Sequence, residues 1–100
     1  MLLHTINKSP FDHNALEVCL KHAKQGSAVL LIEDGVYAAT KGTAVSQRLQ
    51  DALARVSIYA LKPDVEARGM QDRLMDGIKL VDYGGFVDLV VEHSAVQSWL

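Results

Sequence analysis

Residues 28–35 read AVLLIEDG: five apolar positions, Ala28 to Ile32, then Glu33, Asp34 and Gly35. An unbroken apolar run of this length, cut off abruptly by turn residues, is the pattern of a strand buried on both faces of a parallel sheet. Parallel neighbours need crossover connections, commonly helical, so helices are expected on either side of it. Three further runs read as strands, residues 2–6, 56–61 and 78–81.

The segments between them carry helical periodicity. Ser9 as N-cap, Pro10 at the first helical position and Asp12 answering the cap predict a helix starting at Pro10. Leu16, Cys19, Leu20 and Ala23 then form one apolar stripe that ends at Gln25-Gly26. A helical turn is expected around residues 36–39, and a helix marked by Val45, Leu49, Ala52 and Leu53. Residues 63–69 read as one or two helical turns, and Phe86, Leu89, Val90 and His93 share one face of a last helix. Together these elements predict an α/β fold: three layers, α/β/α, around a mainly parallel sheet of about four strands, forming a single domain over residues 1–100.

Composition narrows the possible functions. The chain is 49% apolar and 22% charged, with a net charge of −2. Lysines and arginines are scattered singly, so neither a nucleic-acid surface nor a membrane patch is expected. No signal peptide or membrane-spanning segment is legible. A single cysteine closes no internal disulfide, which points to the cytoplasm. One Cys and four separated His give no metal-ligand spacing, and no cofactor motif is present. So large an apolar share in a short chain predicts a buried subunit interface.

The candidate chemistry centres on Cys19. His22 follows at i+3 and shares a helical surface on which it would pair with a thiolate. Against this, Cys19 sits on the apolar stripe and beyond the first helical turn, where the helix dipole no longer lowers a thiol pKa. Structural filler is therefore the first reading and a sulfur-carrying thiol the second. Strand carboxyl ends are where α/β folds gather their sites. Here those ends are Asn7-Lys8-Ser9, Glu33-Asp34-Gly35, Lys62-Pro63-Asp64 and Asp82-Tyr83-Gly84. Asp34-Gly35 reads as a tight turn with Glu33 or Asp34 as a cap, ahead of a phosphoacceptor or metal role. Lys8 beside a helix N-terminus is a remote candidate for holding an anion. His4 is expected to be buried and hydrogen-bonded, His13 to lie on the surface, and Asp82 to cap the last helix.

Taken in order, Leu3-His4-Thr5 with Ser9-Pro10, residues 30–39 as LLIEDGVYAA, residues 58–61 as IYAL, residues 64–69 as DVEARG, Asp82-Tyr83 with Phe86-Val87, and Trp99 resemble the DsrH/TusB family over nearly the whole chain. The resemblance implies a DsrE/DsrF/DsrH-like fold and a subunit of a three-protein sulfur relay. The implied partners are DsrE/TusD-like and DsrF/TusC-like subunits, in a dimer of heterotrimers. The DsrE/TusD partner is implied to carry sulfur as a cysteine persulfide, which leaves this chain an accessory role in the sulfurtransferase complex. A first-helix cysteine in a setting like Cys19 is more typical of DsrH members, which serve sulfur oxidation, than of TusB members, which serve 2-thiouridine formation in tRNA. The expectation is therefore the DsrH role. The TusB role and a carrier function for Cys19 itself are the alternatives.

Overall fold

The computed structural model describes residues Met1–Leu100, and its strands form one sheet. The strands are β1 (Leu2–Ile6), β2 (Ala28–Leu31), β3 (Ser57–Leu61), β4 (Lys79–Val81) and β5 (Ala95–Trp99). Their order is β4-β3-β2-β1-β5, and every neighbouring pair is parallel. The helices are α1 (Ala15–His22), α2 (Ser46–Ala52), α3 (Lys62–Ala67) and α4 (Tyr83–Glu92), with a 3₁₀ segment, Glu33–Ala39, after β2.

All four residues of β2 are buried, because both faces of this strand are covered. Val29 and Leu31 face the larger core cluster, together with Ile6, Leu16, Cys19, Val36, Leu49, Ile58 and Val65. Ala28 and Leu30 face the opposite side, where Leu3 and Leu89 complete a cluster of four, with Phe86 and Tyr59 against it. The two outer layers are thus unequal. One face carries the residues of α1, α2, α3 and the 3₁₀ segment. The other is covered by α4 alone, which crosses from β4 at one edge to β5 at the other. The outward side of α4 is apolar, with Tyr83, Val87 and Val91 being 61%, 60% and 78% exposed. No helix is long and apolar enough to cross a membrane.

Two expectations need correction. The sheet has five strands rather than about four, because Ala95–Trp99 pairs along the free edge of β1, from Leu2↔Ala95 to Ile6↔Trp99. Its first four residues are exposed, so it lacks the apolar run that marks the other strands. The first helix begins at Ala15, not Pro10. Ser9 instead organises a turn: its Oγ accepts from Phe11 N at 3.3 Å, and its carbonyl accepts from Asp12 N and His13 N. Asp12, His13 and Asn14 are poor helix formers, and helix starts where Ala15 and Leu16 bury.

Candidate functional site

Because all strands are parallel, their carboxyl ends meet along one side of the sheet, and the structure joins the segments found there. Asp64 Oδ2, in the first turn of α3, accepts a hydrogen bond from the backbone N–H of Glu33 at 2.7 Å. Arg68 donates from Nε and Nη2 to Asp34 Oδ1 at 3.1 and 2.9 Å, and from Nη1 to the Asp64 carbonyl at 3.2 Å. Its guanidinium also lies 6.0 Å from the centre of the Tyr37 ring, within cation–π range. Asp34 is therefore the acceptor of a cross-loop ion pair, not a cap: the 3₁₀ segment has no side-chain cap bond. Asp64 and Arg68 fall in the DVEARG stretch and Glu33 to Tyr37 in EDGVY. The two motifs are two halves of one clamp.

The clamp holds backbone that would not sit there unaided. Glu33 has φ of 49°, the one non-glycine residue in the left-handed region, a conformation that costs a residue with a Cβ of order 1 kcal/mol or more. Gly35 packs directly on the Ile6 carbonyl, and a Cβ there would collide with it. The same carbonyl accepts from Ile32 N at 2.9 Å. The turn after β2 is thus fastened to the end of β1, beside Asn7, whose Oδ1 is enclosed without a partner. Strand order reverses between β1 and β5, so Asn7 stands at the topological switch point, the position at which open α/β sheets commonly place ligands. Lys8 is exposed at this edge, but α1 begins seven residues later, so the two do not form the anion site considered from sequence. Asp82 caps α4 as expected, accepting from Gly85 N at 2.8 Å.

Cys19 lies elsewhere. It is the fifth residue of α1, about 6 Å past the helix start, and it is fully buried in the larger cluster. Burial pushes its thiol up to about 12, and the opposing pull of the Arg55 guanidinium is the smaller influence. Arg55 is engaged with the end of α1, donating to the carbonyls of Leu20 and of Ala23. His22 is committed to Val18 O, 2.9 Å from its Nδ1, and to the Trp99 ring at 6.1 Å. The structure therefore gives Cys19 neither an accessible position nor a histidine partner.

His4 is buried as expected, 3% exposed, and its Nδ1 accepts from the Trp99 indole N–H at 3.0 Å. Burial lowers its pKa below the usual imidazole range. Sequence reading assigned Trp99 no contact. Its placement follows from β5, the strand that periodicity does not reveal.

An all-parallel five-stranded sheet with one heavily and one thinly covered face defines the class, and it is shared with the crystal structure of ychN protein from E. coli. That structure superposes with a TM-score of 0.81 at 17% identity, covering 97% of each chain. A family described as DsrH like protein matches residues 8–96. Protein TusB of Pectobacterium atrosepticum is 42% identical over 98 residues, covering 98% of this chain and all of the relative. Protein TusB of Escherichia coli O81 is 38% identical over 100 residues with the same coverage. The chain belongs to the DsrH-like family.

Proposed function

We propose that this chain is a TusB-type accessory subunit of a sulfur relay that serves tRNA 2-thiouridine synthesis, assembled with TusC- and TusD-like partners. The observation that carries the reading is the end-to-end relationship to chains called Protein TusB, at 42% identity in one and 38% in another. It supports this role over the sulfur-oxidation role that the Cys19 setting favoured from sequence.

The geometry supports the accessory part of the proposal. A persulfide carrier needs a thiolate that a donor can reach. Cys19 is enclosed in the core with its thiol pKa raised, so transfer through it would require opening α1. The sulfur then resides on a partner's cysteine, and this chain contributes surface. The apolar outer side of α4 supports an assembled state, because exposed apolar patches of this kind mark interaction surfaces.

The test is reconstitution. Co-expressed with TusC- and TusD-like chains, the protein forms a discrete complex by size-exclusion chromatography with light scattering. After exposure to a persulfide donor, mass spectrometry finds the added sulfur on the TusD-like subunit, and Cys19→Ala leaves that load unchanged. Cells lacking this chain lose tRNA 2-thiouridine and regain it with either wild type or Cys19→Ala. A monomer that ignores both partners, or a sulfur adduct on Cys19 whose loss stops onward transfer, would overturn the proposal.

A further inference from the structure

Beyond its backbone ladder with β1, β5 is fastened at both ends. At its start, Ser94 donates from its backbone N–H and from Oγ to the Met1 carbonyl, each at 3.1 Å. At its finish, Thr5 Oγ1 donates to Ser98 Oγ at 3.2 Å, and the Trp99 indole N–H donates to His4 Nδ1 at 3.0 Å. β5 is an edge strand whose first four residues are exposed, whereas β2 is buried and paired on both sides.

The polarity of the Trp99 bond fixes the proton of His4. Indole nitrogen donates and never accepts, so His4 Nδ1 must present its lone pair. The proton of the neutral ring is then on Nε2, which is enclosed and has no partner. A second proton can enter only at Nδ1, where it would point at the indole N–H. Two donors cannot share that bond, so the charged ring loses Trp99 and has no acceptor on either nitrogen.

Nothing around the ring compensates a charge. His4 alternates with Leu3 and shares the sheet face of Ile6. On that face α1 brings Cys19 and His22, the segment after it Lys24, and the amino terminus the Met1 ammonium, while Arg55 holds the end of α1. The other residues of β1, β2 and β5 carry no titratable side chain, and α4, which ends beside His93, covers the opposite face. No carboxylate is among the groups on the His4 face. His22, on the same Trp99 ring, responds differently. Its Nδ1 already donates to the Val18 carbonyl, so a proton added at Nε2 keeps that bond.

We propose that His4 and Trp99 form a proton-sensitive latch: protonation of His4 expels Trp99 and frees the carboxyl end of β5 from β1, while Ser94 keeps the start of the strand attached. The release uncovers the outer edge of β1 as far as Ile6, beside Asn7. A released imidazole titrates near 6.5 and the docked one lower. The latch is therefore fully closed above about pH 6.5, and opening grows as pH falls towards the docked value, by up to about tenfold per pH unit. The device stands apart from the relay reading and needs no partner chain.

Trp99 is the chain's single tryptophan, so one indole resonance reports on the latch. The full-length chain in its native assembly, labelled with nitrogen-15 in the tryptophan of this subunit, is followed from about pH 8 to about pH 5. The indole N–H of wild type should move in one titration to the position of a water-bonded indole. Hydrogen exchange read by mass spectrometry, corrected for its intrinsic pH dependence, should show β5 losing protection while β2 keeps it. In His4→Gln the amide oxygen accepts from Trp99 and does not titrate, so both signals should stay still, whereas His22→Gln should respond as wild type does. A stationary wild-type resonance, equal loss of protection in β5 and β2, a wild-type response in His4→Gln, or its loss in His22→Gln would each overturn the proposal.

Discussion

The indole N–H of Trp99 donates to Nδ1 of His4 across 3.0 Å, linking side chains 95 positions apart on neighbouring strands β5 and β1. It is one of two side-chain bonds between these strands, the other running from Thr5 Oγ1 to Ser98 Oγ at 3.2 Å. Trp99→Phe removes the donor, shrinks the ring and leaves a buried acceptor unmet. The expected loss is about 1–3 kcal/mol, read from urea denaturation followed by circular dichroism. An unchanged midpoint would show that the bond contributes nothing net.

His4 also sets an acid limit. The unfolded imidazole titrates near 6.5, whereas burial holds the folded one lower. Between those values the unfolded chain binds a proton that the folded chain refuses. The contribution of His4 is therefore fully present above about pH 6.5 and is lost as pH falls through the folded pKa. Denaturation midpoints measured from about pH 8 to about pH 5 should decline in wild type and flatten in His4→Gln. Parallel declines in the two proteins would assign the effect to other groups.

Cys19 titrates in the opposite sense. With its thiol pushed up to about 12 from an ordinary value of 9.0, its contribution is present below the ordinary value. It is lost as pH rises through the folded one. At mildly alkaline pH an aromatic disulfide reagent should label the folded protein slowly and the urea-unfolded protein at once. Rapid labelling under native conditions would mean that α1 opens readily. Cys19→Ala should cost about 1–2 kcal/mol through lost packing.

The strand-end clamp separates into a strong and a weak half. Asp34 is 60% exposed in its pair with Arg68, so Asp34→Asn should change stability by less than about 1 kcal/mol. Asp64→Ala removes the acceptor of the Glu33 N–H as well as a neighbour of Arg68, and should cost about 1–2 kcal/mol. If both variants lost the same amount, the division would be wrong.

Glu33 offers the converse test. Glycine accepts φ of 49° without a Cβ penalty, so Glu33→Gly should match or exceed wild-type stability by up to about 1 kcal/mol. Gly35→Ala should destabilise, since its Cβ meets the immovable Ile6 carbonyl. Thermal melts of the two variants should move apart, and a shared direction would argue against the backbone reading.

How much of this was legible beforehand varies with burial. The apolar run 28–32 and the Leu16, Cys19 and Leu20 stripe announced their elements, because the residues that shape them are those the core encloses. β5 was not announced, since Ala95, Val96, Gln97 and Ser98 are exposed and owe their conformation to the edge of β1. Ser9 and Pro10 carried a genuine helix-start pattern, yet local capping chemistry lost to the packing that begins at Ala15. The pairing of Asp34 with Arg68 spans 34 positions, and no local rule anticipates which distant cation a turn carboxylate meets. The unmet Nε2–H of His4 was equally out of reach, because it depends on the partner taken by the other nitrogen.

The placement of β5 beside β1 has a consequence for biosynthesis. Until α4 and β5 have left the ribosome, the emerged strands from β1 onward can pair, but Leu3 and Leu30 have no cover and β1 has no outer neighbour. Closing that edge brings together residues 93 apart, as Leu2 meets Ala95, the slowest kind of contact to form. Until then an apolar patch and an open strand edge are displayed together, a combination that invites wrong associations. Chaperone dependence during synthesis should therefore rest on α4 and β5, and shortening the chain before β5 should yield aggregates instead of a smaller folded protein.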